Sequence, residues 1–159
     1  HGKMIDLISD DEGPFSTERT GGLPLKYLMP LCYEHTLKEM QRLYKREGGL
    51  KSYAGTSDAR EIEARIMAGD TELKKIYDAY IYQIAKGIGG LATVTNGLVD
   101  VIALTGGVAY SEIVVTKLTK RVGFIAPIIA IPGEHEMIAL SKGAERVVLG
   151  QEELKQFHY

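Results

Sequence analysis

The sequence predicts an α/β protein in which helices pack on a sheet. Three observations predict it. An apolar run, Val101–Leu104, ends in Thr105-Gly106-Gly107, and a helix start follows at Ser111. That is a buried strand delivering a glycine turn to a helix, a grammar that suits a nucleotide or a phosphate. Second, apolar residues from Leu73 to Thr95 keep helical spacing across about six turns. Third, the end of the chain runs strand, Gly-Gly turn, helix, strand, carboxylate-bearing turn, helix. In such layers the loops at strand C-termini line the ligand crevice.

The bulk numbers bound the function. The 159 residues suffice for one domain with a sizeable core. They carry 19 basic and 21 acidic side chains, a formal net charge of -2, which does not point to nucleic acid as a partner. Cys32 is the only cysteine, so no internal disulfide forms; the single thiol fits a reducing, cytoplasmic setting. No apolar run reaches the length of a membrane span, and no targeting segment is visible. Glycine is abundant, 18 of 159 residues against a typical roughly 7%. The pairs at 21–22, 48–49, 89–90 and 106–107 lie between or inside periodic segments, which indicates tight turns in a folded chain. The start, HGKMIDLIS, has no initiator methionine and reads Gly2–Lys3 as a hairpin tip. A first strand is therefore expected upstream, and the chain is expected to be a fragment.

Met4–Ile8 is a strand candidate. Residues 9–25, SDDEGPFSTERTGGLPL, are too polar and turn-rich for a long helix. The acidic Asp10–Glu12 run and Arg19 give this loop a possible functional charge; ordinary turn chemistry at Pro14 and Pro24 explains it equally. Leu37, Met40, Leu43 and Tyr44 set a helix over Thr36–Arg46, ended by Gly48–Gly49. SYAGTS then leads to a second helix with Ala59, Ile62 and Ile66 on one face. Asp58 and Glu61 have capping-box spacing, with Ser57 an equal candidate for the cap. Gly69 stops that helix and Asp70 caps the long one. There, Gly87, Gly89 and Gly90 cost helix propensity, which predicts close packing or a bend. Tyr77, Tyr80 and Tyr82 sit at core spacing rather than forming a stacking platform. Asn96–Gly97 turns the chain into a strand over Val99–Leu104. Ser111 caps a helix to Thr119. Phe124–Ala126 and Ile128–Ile131 are short strands around Pro127. Gly133 and Glu134 start the last helix, with Met137, Leu140, Ser141, Ala144 and Val148 on one face.

Three constellations could carry chemistry. Thr105, Gly106, Gly107 and Ser111 would let a nucleotide pass close to the backbone. No Lys-Ser/Thr pair follows, so the phosphate-loop NTPase signature is absent, as is the dinucleotide fingerprint. A plain strand-to-helix turn stays open as the alternative. Glu134, His135 and Glu136 could orient magnesium; acidic residues in a first helical turn also simply suit the macrodipole, and the HExxH spacing of zinc sites is absent. Asp58 and Arg60 follow a Gly-Thr-Ser turn. The arginine fork fits a phosphate or a ring edge, whereas Asp58 is also explained as a helix cap. No Ser-His-Asp or Cys-His arrangement follows from residue order.

Taken in order, DDEGPFSTERTGGLPL, AGTSDAR, YQIAKGIGGLATV, VDVIALTGGVAYS and PGEHEMIALSKGA make nearly the whole chain resemble the C-terminal part of the butyrate kinases, within the acetate kinase family. That family is similar to the wider acetate and sugar kinase, Hsc70 and actin superfamily. The resemblance implies a ribonuclease-H-like lobe, a mixed sheet with packed helices, with residues 1–159 forming the C-terminal nucleotide-binding lobe of a two-lobe kinase. It implies ATP/ADP and Mg2+ as cofactors, and butyrate or another short-chain carboxylate as phosphoryl acceptor, with the acyl phosphate as substrate of the reverse reaction. It assigns the nucleotide to Asp58, Arg60, Thr105, Gly106, Gly107, Val108 and Ser111. Arg60 and Glu134 become catalytic residues, and Glu134 the magnesium residue, with Glu136 as an alternate register. Arg19 and the Asp10–Glu12 loop match family text without an assigned step. The family's phosphate-contacting histidine-glycine motif is expected upstream of residue 1, and His1 does not replace it. The acyl pocket is expected in the other lobe. A homo-oligomer through this domain, and no nucleic-acid or membrane partner, complete the expectation. The alternative is a non-catalytic nucleotide-sensing or scaffold domain of the same superfamily.

Overall fold

The computed structural model describes residues 3–133 and 135–154. Among these residues seven α-helices and two strands follow in order: α1 (Leu25–Glu34), α2 (Leu37–Arg46), α3 (Gly49–Ala54), α4 (Ala59–Met67), α5 (Thr71–Ala92), β1 (Ile102–Gly106), α6 (Glu112–Val122), β2 (Ile128–Pro132) and α7 (Glu136–Val148). A short 3-10 turn, Gly107–Tyr110, joins β1 to α6.

The core forms around α5. Leu73, Tyr77, Tyr80, Ile81 and Ala85 recur at helical spacing and are buried. They meet Leu50 of α3, Ile62 of α4, and Val114, Leu118 and Val122 of α6. The core reading of the tyrosines holds for Tyr77 and Tyr80, whose rings lie 5.7 Å apart. Tyr82 instead faces outward, half-exposed, beneath Lys86 and Arg121. Gly87 touches Ile8 and Pro14, but Gly89 and Gly90 face open space, so close packing explains only the first.

β1 and β2 pair in parallel, with Ile102 opposite Ile128 and Gly106 opposite Pro132. Parallel neighbours require a crossover, and α6 supplies it by packing back onto α5. The helices-on-sheet class is therefore as expected. Among the described residues the sheet is this one ladder, extended by a single antiparallel bridge from Gly106 to Gly133.

Caps fix most boundaries. Thr36 and Glu39 form a full capping box on α2. Asp58 caps α4 by accepting from the backbone N–H of Arg60, so Ser57 is not the cap. Asp70 caps α5 through Leu73, and Ser111 caps α6 through Val114. Three expectations need correction. Met4–Ile8 is not a strand: no described segment takes its backbone hydrogen bonds, and a strand exists only as part of a ladder. Phe124–Ala126 forms the turn after α6, with the Ile125 N–H donating to the Val122 carbonyl. The strand predicted over Val99–Leu104 lies at Ile102–Gly106, because Ile102 is the first residue to find a partner across the ladder. Gly48–Gly49 follows the end of α2 as expected, and Gly49 also begins α3. α1, over a segment given no element from sequence, forms around Pro30.

The turn-rich segment before α1 is ordered by backbone bonds. Leu50 N–H donates to the Ser16 carbonyl, Lys51 N–H to Thr17 and Gly48 N–H to Glu18. Arg19 pairs with Asp10 of the acidic run. This seats Thr17 beside the start of α4. On α7, Met137, Leu140 and Val148 share a face, as the spacing predicts, and that face is exposed. Among the described residues no helix is long and apolar enough to cross a membrane.

Candidate functional site

A groove of about 710 Å3 opens between the start of α4 and the turn that follows β1. Its size falls within the range of small-molecule sites. One wall carries Ser57, Asp58, Ala59, Arg60 and Glu63; the other carries Gly107, Val108, Tyr110 and Ser111, with Thr17 at the edge. Two segments distant in sequence, each singled out from sequence, thus face one another.

The α4 wall is charged. Asp58 Oδ1 accepts from the backbone N–H of Arg60 at 2.9 Å and from its Nε at 3.0 Å. Asp58 Oδ2 accepts from Arg60 Nη2 at 2.7 Å. The side-chain bonds from Arg60, then its backbone N–H, hold the Asp58 carboxyl down at about 2. The same pairing raises Arg60 above its ordinary value. The carboxylate is thus spent on orienting the guanidinium, which remains 91% exposed. A forked cation held in one pose at a groove edge can receive a phosphate oxygen or lie against a planar ring.

The facing wall is backbone. Gly107 lies outside the left-handed region, and a Cβ built on it meets nothing within 4 Å. Among the described residues nothing therefore requires glycine there. Gly106 is different: it ends β1 at φ 75° and ψ -171°, a conformation reserved essentially for glycine. Gly106 does not line the groove, and neither does Thr105. Thr105 borders a separate cavity of about 200 Å3 with Tyr80, Leu104 and Val108, so Val108 divides the two spaces. Glu134 lies outside the described residues, as does the side chain of Glu136. Among the described residues no group of three or more His, Cys, Asp or Glu gathers as a metal site.

Glu63 was not anticipated. Its Oε1 accepts from the Tyr77 hydroxyl at 2.6 Å and from the Ser111 hydroxyl. Burial, then the bond to Glu63, pushes the Tyr77 phenol well above its ordinary value, which keeps it a donor. The available signal was spacing: Glu63 follows Arg60 by three residues, and such pairs share a helix face. Thr17 was also missed, because no sequence period links it to α4.

Comparisons with known proteins show the family and the fold. A probable butyrate kinase 2 from Caldanaerobacter subterraneus is 47% identical over 154 residues, covering 95% of this chain and 44% of that protein. Butyrate kinase 2 from Clostridium acetobutylicum is 44% identical over 161 residues, covering 99% of this chain and 45% of that protein. The chain therefore spans less than half the length of these relatives. Acetate kinase from Entamoeba histolytica superposes with a TM-score of 0.74 at 20% identity, covering 86% of this chain and 44% of that one. Porphyromonas gingivalis acetate kinase gives 0.71 at 23%, covering 84% and 41%. At these identities the structural likeness establishes the fold. The family model of the acetokinases matches residues 24–155, and with it the chain belongs to the acetokinase family.

Proposed function

We propose that this chain is the nucleotide-binding half of an ATP-dependent short-chain carboxylate kinase, which converts butyrate and ATP to butyryl phosphate and ADP, reversibly. The observation that carries the proposal is the groove in which Asp58–Arg60 faces Gly107–Ser111. Its chemistry suits a nucleotide. Arg60 is pre-oriented by Asp58, so little of its freedom is lost when it meets a phosphate or a base. Gly107 lets the ligand approach the main chain.

In the complete enzyme the carboxylate oxygen attacks the terminal phosphorus in line, and fixed cations and dipoles offset the charge that spreads over the transferred group. Arg60 is the proposed contributor from this half. Glu134, with Glu136 as its alternate, is the proposed magnesium residue on the strength of the family resemblance. Thr105 and Gly106 act on the nucleotide only through the backbone they hand to Gly107. Under the same reading the enzyme is cytoplasmic and homo-oligomeric, and sedimentation of the purified chain tests the second point.

Titration calorimetry with ATP or ADP tests the nucleotide reading directly. The chain is expected to bind, and Arg60→Ala to weaken binding by about tenfold, the worth of one charge-assisted contact. No heat and no thermal protection at millimolar nucleotide would sink it. The isolated chain should form little acyl phosphate; hydroxamate trapping at rates near those of a full-length butyrate kinase would overturn that expectation.

A further inference from the structure

We propose that Glu63 is a positioning residue for nucleotide: its carboxylate ties the two groove walls together and sets their separation. The inference rests on the nucleotide reading of the groove. Asp58 and Arg60 sit on α4, while Gly107–Ser111 leads into α6. α4 and α6 each pack against α5. The Glu63–Ser111 bond is the one hydrogen bond, among the described residues, that joins α4 to the 107–122 segment.

Three helices converge on that bond. Glu63 comes from α4, Ser111 caps α6, and Tyr77 is a core residue of α5 with 1% exposure. Tyr77 holds Glu63 Oε1 at 2.6 Å, so the oxygen that receives Ser111 is anchored to the core. The Ser111 hydroxyl has one proton and gives it to Glu63. Its lone pairs face the Val114 N–H at 3.0 Å. The hydroxyl thus donates to α4 and accepts from α6, and the chain entering α6 is pinned where the groove wall ends. A single carboxylate oxygen converts two independently mounted walls into one site.

The role requires an acceptor with the reach of a glutamate, not a negative charge. A glutamine carbonyl also accepts two hydrogen bonds. An aspartate keeps the charge but retracts the oxygens by about 1.5 Å, one carbon–carbon bond. ADP affinity of the purified chain, by calorimetry, separates these cases. Glu63→Ala and Glu63→Asp are expected to weaken ADP binding by about tenfold, since misplacement on the 1 Å scale is costly to a pre-organised site. Glu63→Gln should restore affinity to within about threefold. A role confined to stability would lower the melting temperature and leave the ADP dissociation constant of the folded protein unchanged, which overturns the inference. So would a glutamine variant as weak as the aspartate one. If Glu63→Ala does not fold, the order of Gln above Asp decides alone. A wild-type chain that binds no ADP removes the nucleotide reading, and this inference with it; wild-type binding that survives Glu63→Asp removes this inference only.

Discussion

The two glycines after β1 should answer to alanine with opposite signs. Gly106 holds φ 75° and ψ -171°. A Cβ there touches nothing within 4 Å, so the cost is torsional alone. Such strain costs about 1–3 kcal/mol. Alanine also restricts the unfolded chain, which returns about 0.4–1 kcal/mol. Gly106→Ala should therefore lose roughly 1–2 kcal/mol net, a fall in melting temperature of about 2–8 °C for a chain of this size. Gly107 has no left-handed backbone and equally open surroundings. Gly107→Ala should keep or slightly raise the melting temperature, through the same unfolded-state effect. Gly107 lines the groove, however, and ADP binding to the alanine variant should weaken at least several-fold. Thermal unfolding by circular dichroism and calorimetric titration of the two variants read both axes. A Gly106→Ala variant melting with the wild type would refute the torsional reasoning. A Gly107→Ala variant that binds ADP normally would refute the assignment of that glycine to ligand approach.

Three further outcomes follow from the core, the loop and the charged wall. Ile81 is fully buried on α5, so Ile81→Ala should cost about 2–5 kcal/mol in urea unfolding; a loss below about 1 kcal/mol would contradict α5 as the centre of the core. Gly49 holds φ 59°, and a Cβ there would run into the Ser16 carbonyl and come within 2.8 Å of the Arg19 carbonyl. Gly49→Ala should cost about 3 kcal/mol or more, strain and overpacking together, and normal stability in that variant would refute the packing of the loop. The Asp58 carboxyl titrates at about 2 in the fold against 3.8 for the free group. As pH falls, the unfolded chain takes that proton first. The contribution of Asp58 to stability is thus complete above 3.8 and is lost as pH falls through about 2. An NMR titration of its carboxyl carbon centred near 3.8 would mean that the fork to Arg60 is not formed in solution.

Some of the site was legible because it is local. Asp58 declared itself as a cap, and Ser111 likewise, since a cap is decided by a few adjacent residues. α5 was legible because burial imposes one period on a long segment. Strand limits were not, because a strand exists only where a neighbour completes its ladder. The run from Val99 was apolar enough, yet pairing starts at Ile102. Met4–Ile8 has strand composition without a partner among the described residues. α1 was hidden by Pro30, which reads as a breaker but sits inside the helix.

The sequence by itself determined which pieces this protein has: a helix with a core stripe, two capped helices, a glycine turn after an apolar strand, and a run of motifs in family order. Each depends on neighbours within a few residues. Only the tertiary structure decided which pieces meet. It moved Thr105 and Gly106 out of the groove and put Glu63 and Thr17 into it. It also gave one carboxylate oxygen of Glu63 hydroxyl donors from two other helices. Contacts between distant segments are set by how helices pack around α5, and no local pattern encodes that packing.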